Sequence, residues 1–264
     1  MPKTILITGA TDGIGFETAK MLVRDGHTVL VHGRSRNKLD AACAAIGGKT
    51  QPYLADMSLS ADVVGLIDEI KQDHTQIDVL INNAGVLKSP QTITPEGLDL
   101  RFMVNTIGPY MLTVGLLDLI PTGGRIINLS SAAQAPVDIA ALRGGHPLDD
   151  MNAYAQSKLA ITMWSRDLAA QLPDGPSVLA LNPGSLLASK MVKEGFGVAG
   201  NDLRIGAEIL YRAALDPDFA DVSGRYFDND AKAFGQPHAD ALVTGKVSAV
   251  VQAIKATISN LQTT

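Results

Sequence analysis

The chain carries a single cysteine, Cys43, so neither an intramolecular disulfide framework nor a cysteine-based zinc site is open to it. No apolar run approaches the roughly 20 residues that span a bilayer. The short apolar stretch 5–7 has neither the length nor the cleavage site of a secretory signal. Positive charge is in deficit: 22 Lys and Arg stand against 27 Asp and Glu, a formal net charge of −5, and nothing general is present to neutralise a phosphate backbone. These absences point to a cytoplasmic, reducing setting with no membrane span and no nucleic-acid partner. The five histidines, at 27, 32, 74, 146 and 238, are scattered without ligand spacing, so no metal site is expected. No Gly-x-Ser-x-Gly elbow surrounds Ser130 or Ser131, which disfavours a serine hydrolase.

What is present is 264 residues, 46 % apolar and 19 % charged, enough to bury a sizeable core. No repeat and no low-complexity linker divides the chain, so residues 1–264 read as one domain. Short β-rich stretches fall at 4–8, 28–32, 51–54, 79–82, 125–129 and 177–181, and longer helix-like stretches separate most of them. The first four strands are mostly Val, Ile and Leu, the mark of strands covered on both faces, which implies a parallel sheet sandwiched by helices. Helices are predicted at 14–25, 36–45, 60–74, 94–117, 151–171 and 202–214, with Thr94 as cap and Pro95 in the first turn of the fourth. An amphipathic helix over 238–258, within a C-terminal extension 237–264, would pack against the body or a sister subunit.

After the first strand comes Thr8-Gly9-Ala10-Thr11-Asp12-Gly13-Ile14-Gly15, where a helix begins. Glycines at such a turn let the backbone approach a pyrophosphate, and the helix N-terminus offers free N–H groups to the anion. The second strand ends in Gly33-Arg34-Ser35-Arg36, where a dinucleotide site reads the adenosine ribose. A carboxylate there would repel a 2′-phosphate; none is present. Arg34 instead offers a planar fork of donors, with Arg36 and Lys38 adding positive charge, although a guanidinium stacked on adenine or turned to solvent is the plainer alternative.

Tyr154 and Lys158 are four positions apart on a predicted helix and emerge about one turn apart on the same face. Bringing a phenol from a pKa of ~10 to ~7 takes roughly 4 kcal/mol of preference for the phenolate. One ammonium at about 4 Å supplies on the order of 4 kcal/mol at an effective dielectric of 20, so a lysine one turn away is expected to be about sufficient.

In order along the chain, Gly9-x3-Gly13-x-Gly15, Asn82-Asn83-Ala84-Gly85, Asn105, Ser130-Ser131, Tyr154-x3-Lys158 and Pro183-Gly184 together make the sequence resemble the short-chain dehydrogenase/reductase family, over residues 3 to about 227. The resemblance implies a single-domain α/β fold, a Rossmann-type doubly wound parallel sheet with helices on both faces. It implies hydride exchange between nicotinamide and an alcohol or carbonyl substrate, with Tyr154 moving the proton, Ser131 holding the reacting oxygen, Lys158 holding the nicotinamide ribose and Asn105 anchoring a water of the proton relay. It places Gly9, Thr11, Asp12, Gly13, Ile14, Gly15, Arg34, Asp56, Met57, Asn83, Ala84, Gly85, Tyr154, Lys158, Pro183 and Gly184 around the cofactor. The Gly-Arg pair is usual in members that prefer NADP over NAD, and Asp56 is similar to the family residue that meets the adenine amino group. Ser131 rather than Ser130 is favoured because the family's serine is the second of such a pair.

The connection 132–153 is longer than in the commonest members and is similar to that of retinol-dehydrogenase-like members. Its segment 134–152 would either form part of the substrate wall or elaborate the surface. The segment 184–200 would be the substrate loop; Ser189 stands one residue from the usual threonine contact, and Leu186, Leu187, Met191 and Phe196 hint at an apolar substrate. Homo-oligomers, dimers or tetramers, form in the family typically through the helices holding Asn105 and Tyr154, though monomers occur. Two rivals remain: a dinucleotide-binding sensor or scaffold without turnover, and an epimerase or dehydratase that also uses Tyr-x3-Lys.

Overall fold

Successive residues of the inner strands feed two different cores. Ile5 and Ile7 of β1 (Thr4–Ile7), and Val29 and Val31 of β2 (Thr28–Gly33), join one buried cluster, whereas Leu6 and Leu30 join the other. A strand buried on both faces needs no polar residue between its apolar ones, which explains the continuous apolar runs in the sequence. The computed structural model describes residues 1–188, 197 and 199–262.

The remaining strands are β3 (Thr50–Leu54), β4 (Val79–Asn82), β5 (Arg125–Leu129), β6 (Ser177–Asn182), β7 (Tyr226–Asp228) and β8 (Ala233–Gly235). They form one sheet in the order β3-β2-β1-β4-β5-β6-β7-β8, parallel throughout except for the last pair. The doubly wound α/β fold expected from the sequence is therefore the one observed, with two short edge strands added. Those strands have three residues each, too short for apolar periodicity to reveal. Phe219, Phe227 and Phe234 pack their rings together at this edge, with centroids 5.0 to 5.4 Å apart.

Among the described residues the helices are α1 (Gly13–Arg24), α2 (Arg36–Ile46), α3 (Ser60–Asp73), α4 (Leu100–Phe102), α5 (Gly108–Gly115), α6 (Ile139–Leu142), α7 (Asp150–Gln171), α8 (Leu203–Leu215) and α9 (Thr244–Leu261). Leu22 of α1, Leu39 of α2 and Leu210 of α8 fill one core; Leu66 of α3, Leu112 of α5, Trp164 of α7 and Ile254 of α9 fill the other.

The single helix predicted over 94–117 is corrected in two ways. Thr94 is not a helix cap and Pro95 is not in a first helical turn: Thr94 closes a loop by donating its N–H to the Leu98 carbonyl at 2.7 Å and accepting Leu98 N–H on Oγ1 at 3.2 Å. Asp99 does the capping instead, its carboxylate taking Arg101 N–H at 2.8 Å. The helix then widens into a π turn, Met103–Ile107, in which Gly108 N–H reaches back to the Met103 carbonyl.

Every residue from Gln156 to Ser165 of α7 is buried. β5 and β6 lie against one side, the π turn against another, and α9 covers a third. The buried positions Val247, Val250, Val251 and Ile254 of α9 recur at helical spacing, so the C-terminal segment packs against the body of its own chain. The connection 134–152 is likewise bound to the body. Ala135 N–H donates to the Ala155 carbonyl, Asp138 N–H donates to Gln156 Oε1, and Leu142 is fully buried.

Candidate functional site

The chain order reverses between β1 and β4, and in a doubly wound sheet the crevice beyond the strand ends at such a point is where a ligand binds. A cleft of about 330 Å³ opens there, running from Arg34 past the glycine turn to Tyr154 and Lys158. All the residues expected around a cofactor line it except Gly15 and Gly184.

The bend after β1 demands glycine. Gly9 has φ +65°, and a Cβ there would come within 2.9 Å of Ala84 Cα. A Cβ at Gly15 would meet Asn83 Nδ2 at 2.5 Å, so Gly15 serves close packing behind the cleft rather than lining it. Asn83 is the strut between the two turns: its Nδ2 donates to the carbonyls of Thr8 and Gly9 at 2.8 and 3.0 Å, while its own N–H and that of Ala84 donate to Thr8 Oγ1. Asp12 caps α1 by accepting Gly13 N–H at 2.7 Å.

Two supports of this turn escape the motif. Thr8 is one. His32 is the other: Nδ1 accepts Gly9 N–H at 3.1 Å and Nε2 faces the Ala55 carbonyl at 3.0 Å, so a neutral ring with its proton on Nε2 bridges the glycine turn to the end of β3. Burial pulls its pKa down to about 4, which keeps that tautomer at neutral pH. A polar residue in an otherwise apolar strand, at its cleft end, was the available signal.

Arg34 is exposed at the rim and has no ion-pair partner among the described residues. Asp56 holds Ser58 N–H and Oγ–H on Oδ1, leaving Oδ2 for a donor from the cleft.

At the other end, Lys158 is 4 % exposed and donates Nζ to the Leu129 carbonyl at 2.7 Å. Its Nζ lies 5.7 Å from the Tyr154 ring centre. Burial lowers its pKa to about 8 and raises that of Tyr154, the latter opposed by a hydrogen bond with Ser131. The expectation that one lysine suffices to depress the phenol is thus not met in the protein alone, because burial disfavours the phenolate and the lysine is committed to a backbone carbonyl.

The serine pair divides its work. Ser130 is buried, with Oγ on the Lys158 carbonyl at 3.1 Å and Thr162 Oγ1 at 2.7 Å, so it ties β5 to α7. Ser131 Oγ accepts Ala133 N–H at 3.1 Å, and Ser131 draws the Tyr154 pKa down against the effect of burial. Asn105 is fully buried and does not line the cleft. Its amide accepts from Val86 N–H and donates to the Val86 carbonyl and to Ser157 Oγ, which in turn donates to the Tyr154 carbonyl. Arg101, fully buried, pairs with Asp99 at 2.8 Å and Asp150 at 3.2 Å, clamping α4 to the first turn of α7 just before Tyr154. Leu186 and Leu187 follow β6, Leu186 exposed with φ 52° and Leu187 buried, whereas Ser189, Met191 and Phe196 lie outside the described residues.

A family model described as short chain dehydrogenase matches residues 3–196. The chain belongs to the short-chain dehydrogenase/reductase family. Among relatives, retinol dehydrogenase 13 of Homo sapiens is 32 % identical over 271 residues, covering 90 % of this chain and 80 % of that protein. Two solved members of the family share the fold. A 3-ketoacyl-(acyl-carrier-protein) reductase from Brucella melitensis in complex with NADH superposes with a TM-score of 0.68 at 25 % identity, over 86 % of this chain and 96 % of that one. A short-chain dehydrogenase from Shigella flexneri in complex with NADP gives a TM-score of 0.68 at 26 % identity, over 86 % and 97 %. The ordered motifs of this short-chain dehydrogenase/reductase thus sit on the sheet that their family uses. No described helix is long and apolar enough to cross a membrane.

Proposed function

We propose that the protein is an NADP-preferring oxidoreductase that exchanges hydride between nicotinamide and an alcohol or carbonyl substrate. The observation that carries this is one continuous cleft with Arg34, which has no ion-pair partner among the described residues, at one end and Tyr154 with Lys158 at the other. A dinucleotide fits it on the structure's own terms. The turn at Gly9 and Gly13 leaves room that side chains would take or strain, and Arg34 awaits an anion.

In this reading Thr11, Gly13 and Ile14 face the pyrophosphate, with Gly9, Gly15 and Asp12 shaping the bend. Arg34 takes the 2′-phosphate, and Asp56 and Met57 flank the adenine. Asn83, Ala84, Gly85, Pro183 and Gly184 border the nicotinamide end, where Lys158 also holds ribose hydroxyls. The bound cofactor supplies or accepts the hydride. A phenol kept protonated by burial is a ready acid: Tyr154 gives its proton to the carbonyl oxygen while Ser131 Oγ–H donates to the same oxygen, so hydride and proton together make the alcohol. Asn105 also positions: its side chain is bonded to Val86 and Ser157 and steadies the Tyr154 turn through them, beside the relay water that it would anchor. A cytoplasmic setting accords with the lone thiol of Cys43.

The test is NADPH consumption with a panel of aldehydes and ketones, followed by absorbance. Tyr154→Phe should lose about a hundredfold or more in turnover while binding NADPH as tightly as before. Tight NADPH binding with no turnover across the panel would favour the sensor reading instead.

A further inference from the structure

The Ser131 carbonyl is held from two sides. The Tyr226 hydroxyl donates to it at 3.1 Å, and the Gln134 amide nitrogen donates at 2.9 Å. The orientation of that amide is itself fixed, because Gln134 Oε1 accepts the main-chain N–H of His238 at 3.2 Å, which leaves the NH₂ facing Ser131. Tyr226 is buried in β7, and burial pushes its hydroxyl pKa up, so it stays a neutral donor. His238 opens the C-terminal segment, and Gln134 opens the long connection before α7. Tyr226, 95 positions away, and Gln134, three positions away and itself held by His238, therefore converge on one peptide group.

That peptide group needs such support. Ser131 lies just past β5 and outside any helix or strand, so no ladder fixes its backbone. Its Oγ already accepts Ala133 N–H, so the direction left to the hydroxyl proton is set by the backbone that carries it.

We propose that Gln134 and Tyr226 are positioning residues that fix the Ser131 peptide so that its hydroxyl meets Tyr154, and that Gln134 couples the C-terminal segment to this geometry. The inference rests on the roles of Ser131 and Tyr154 proposed above, and it adds two side chains that no motif contains.

The test uses the full chain labelled with ¹³Cζ-tyrosine, the Tyr154 resonance being assigned by its loss in Tyr154→Phe. In Gln134→Ala and in Tyr226→Phe the Tyr154 titration should move upward by about half a pH unit or more, toward its position in Ser131→Ala. Neither substitution should move it further in the Ser131→Ala background. On any carbonyl of the panel that is turned over, kcat should fall about tenfold with the NADPH dissociation constant unchanged, and this loss too should vanish in the Ser131→Ala background. The other tyrosine resonances report that each variant is folded. A Tyr154 titration unmoved in both variants, or moved equally again in Ser131→Ala, overturns the inference. Absence of turnover in the wild type would instead overturn the proposed function, while the titration still decides this point.

Discussion

Lys158 Nζ donates to the Leu129 carbonyl at 2.7 Å, so the cation one turn from Tyr154 is anchored on the end of β5 rather than on the phenol. With its pKa lowered by burial to about 8, Lys158 is an ammonium below that pH and increasingly neutral above it. The efficiency kcat/KM for cofactor should therefore fall on the alkaline side of about 8. Lys158→Arg, which holds its charge, should move that limb upward, and Lys158→Met should lose cofactor affinity at all pH values. An alkaline limb unchanged in Lys158→Arg would show that another group titrates.

Arg34 gives a sharp test of cofactor choice. Replacing it with Asp removes a charge-assisted contact and adds repulsion, so NADP should bind on the order of a hundredfold more weakly. NAD, which has no 2′-phosphate, should change far less. Titrations of both dinucleotides against wild type and Arg34→Asp would settle the preference, and a ratio that does not move would remove the basis for naming NADP.

His32 makes a prediction about acid stability. Its folded pKa of about 4 lies below the ordinary 6.5, so between those values the unfolded chain binds a proton that the folded chain refuses. The stability conferred by the neutral ring is complete above pH 6.5 and is lost as pH falls toward 4, about 3 kcal/mol over the window. His32→Asn should be less stable at neutral pH but show a shallower acid slope. Urea midpoints measured across the window would check both, and equal slopes would remove His32 as the cause.

The cofactor half of the site was legible because its chemistry is tied to local spacing: Gly9, Gly13 and Gly15 shape one turn, and Tyr154 and Lys158 share one helix face. What stayed hidden depends on distant contacts or on burial. Tyr226 reaches Ser131 across 95 positions and His238 reaches Gln134 across 104, and neither belongs to a pattern. Thr94 and Pro95 look like a helix start until Asp99 is seen to hold Arg101 N–H, and the effect of Lys158 on Tyr154 was overestimated because a sequence does not display desolvation.

Ile254 tests how far the C-terminal helix supports the site. It is fully buried against α7, so Ile254→Ala should cost about 2–5 kcal/mol of unfolding free energy, read from urea denaturation. Loss of less than about 1 kcal/mol would mean that α9 is only loosely docked.

The wrapping of α7 by its own chain has a consequence for how the molecule works in solution. Every residue from Gln156 to Ser165 is covered by the chain itself. A sister subunit, if one binds, would therefore meet faces other than this stretch of the helix, and loosening α9 rather than diluting the protein is what should uncover it.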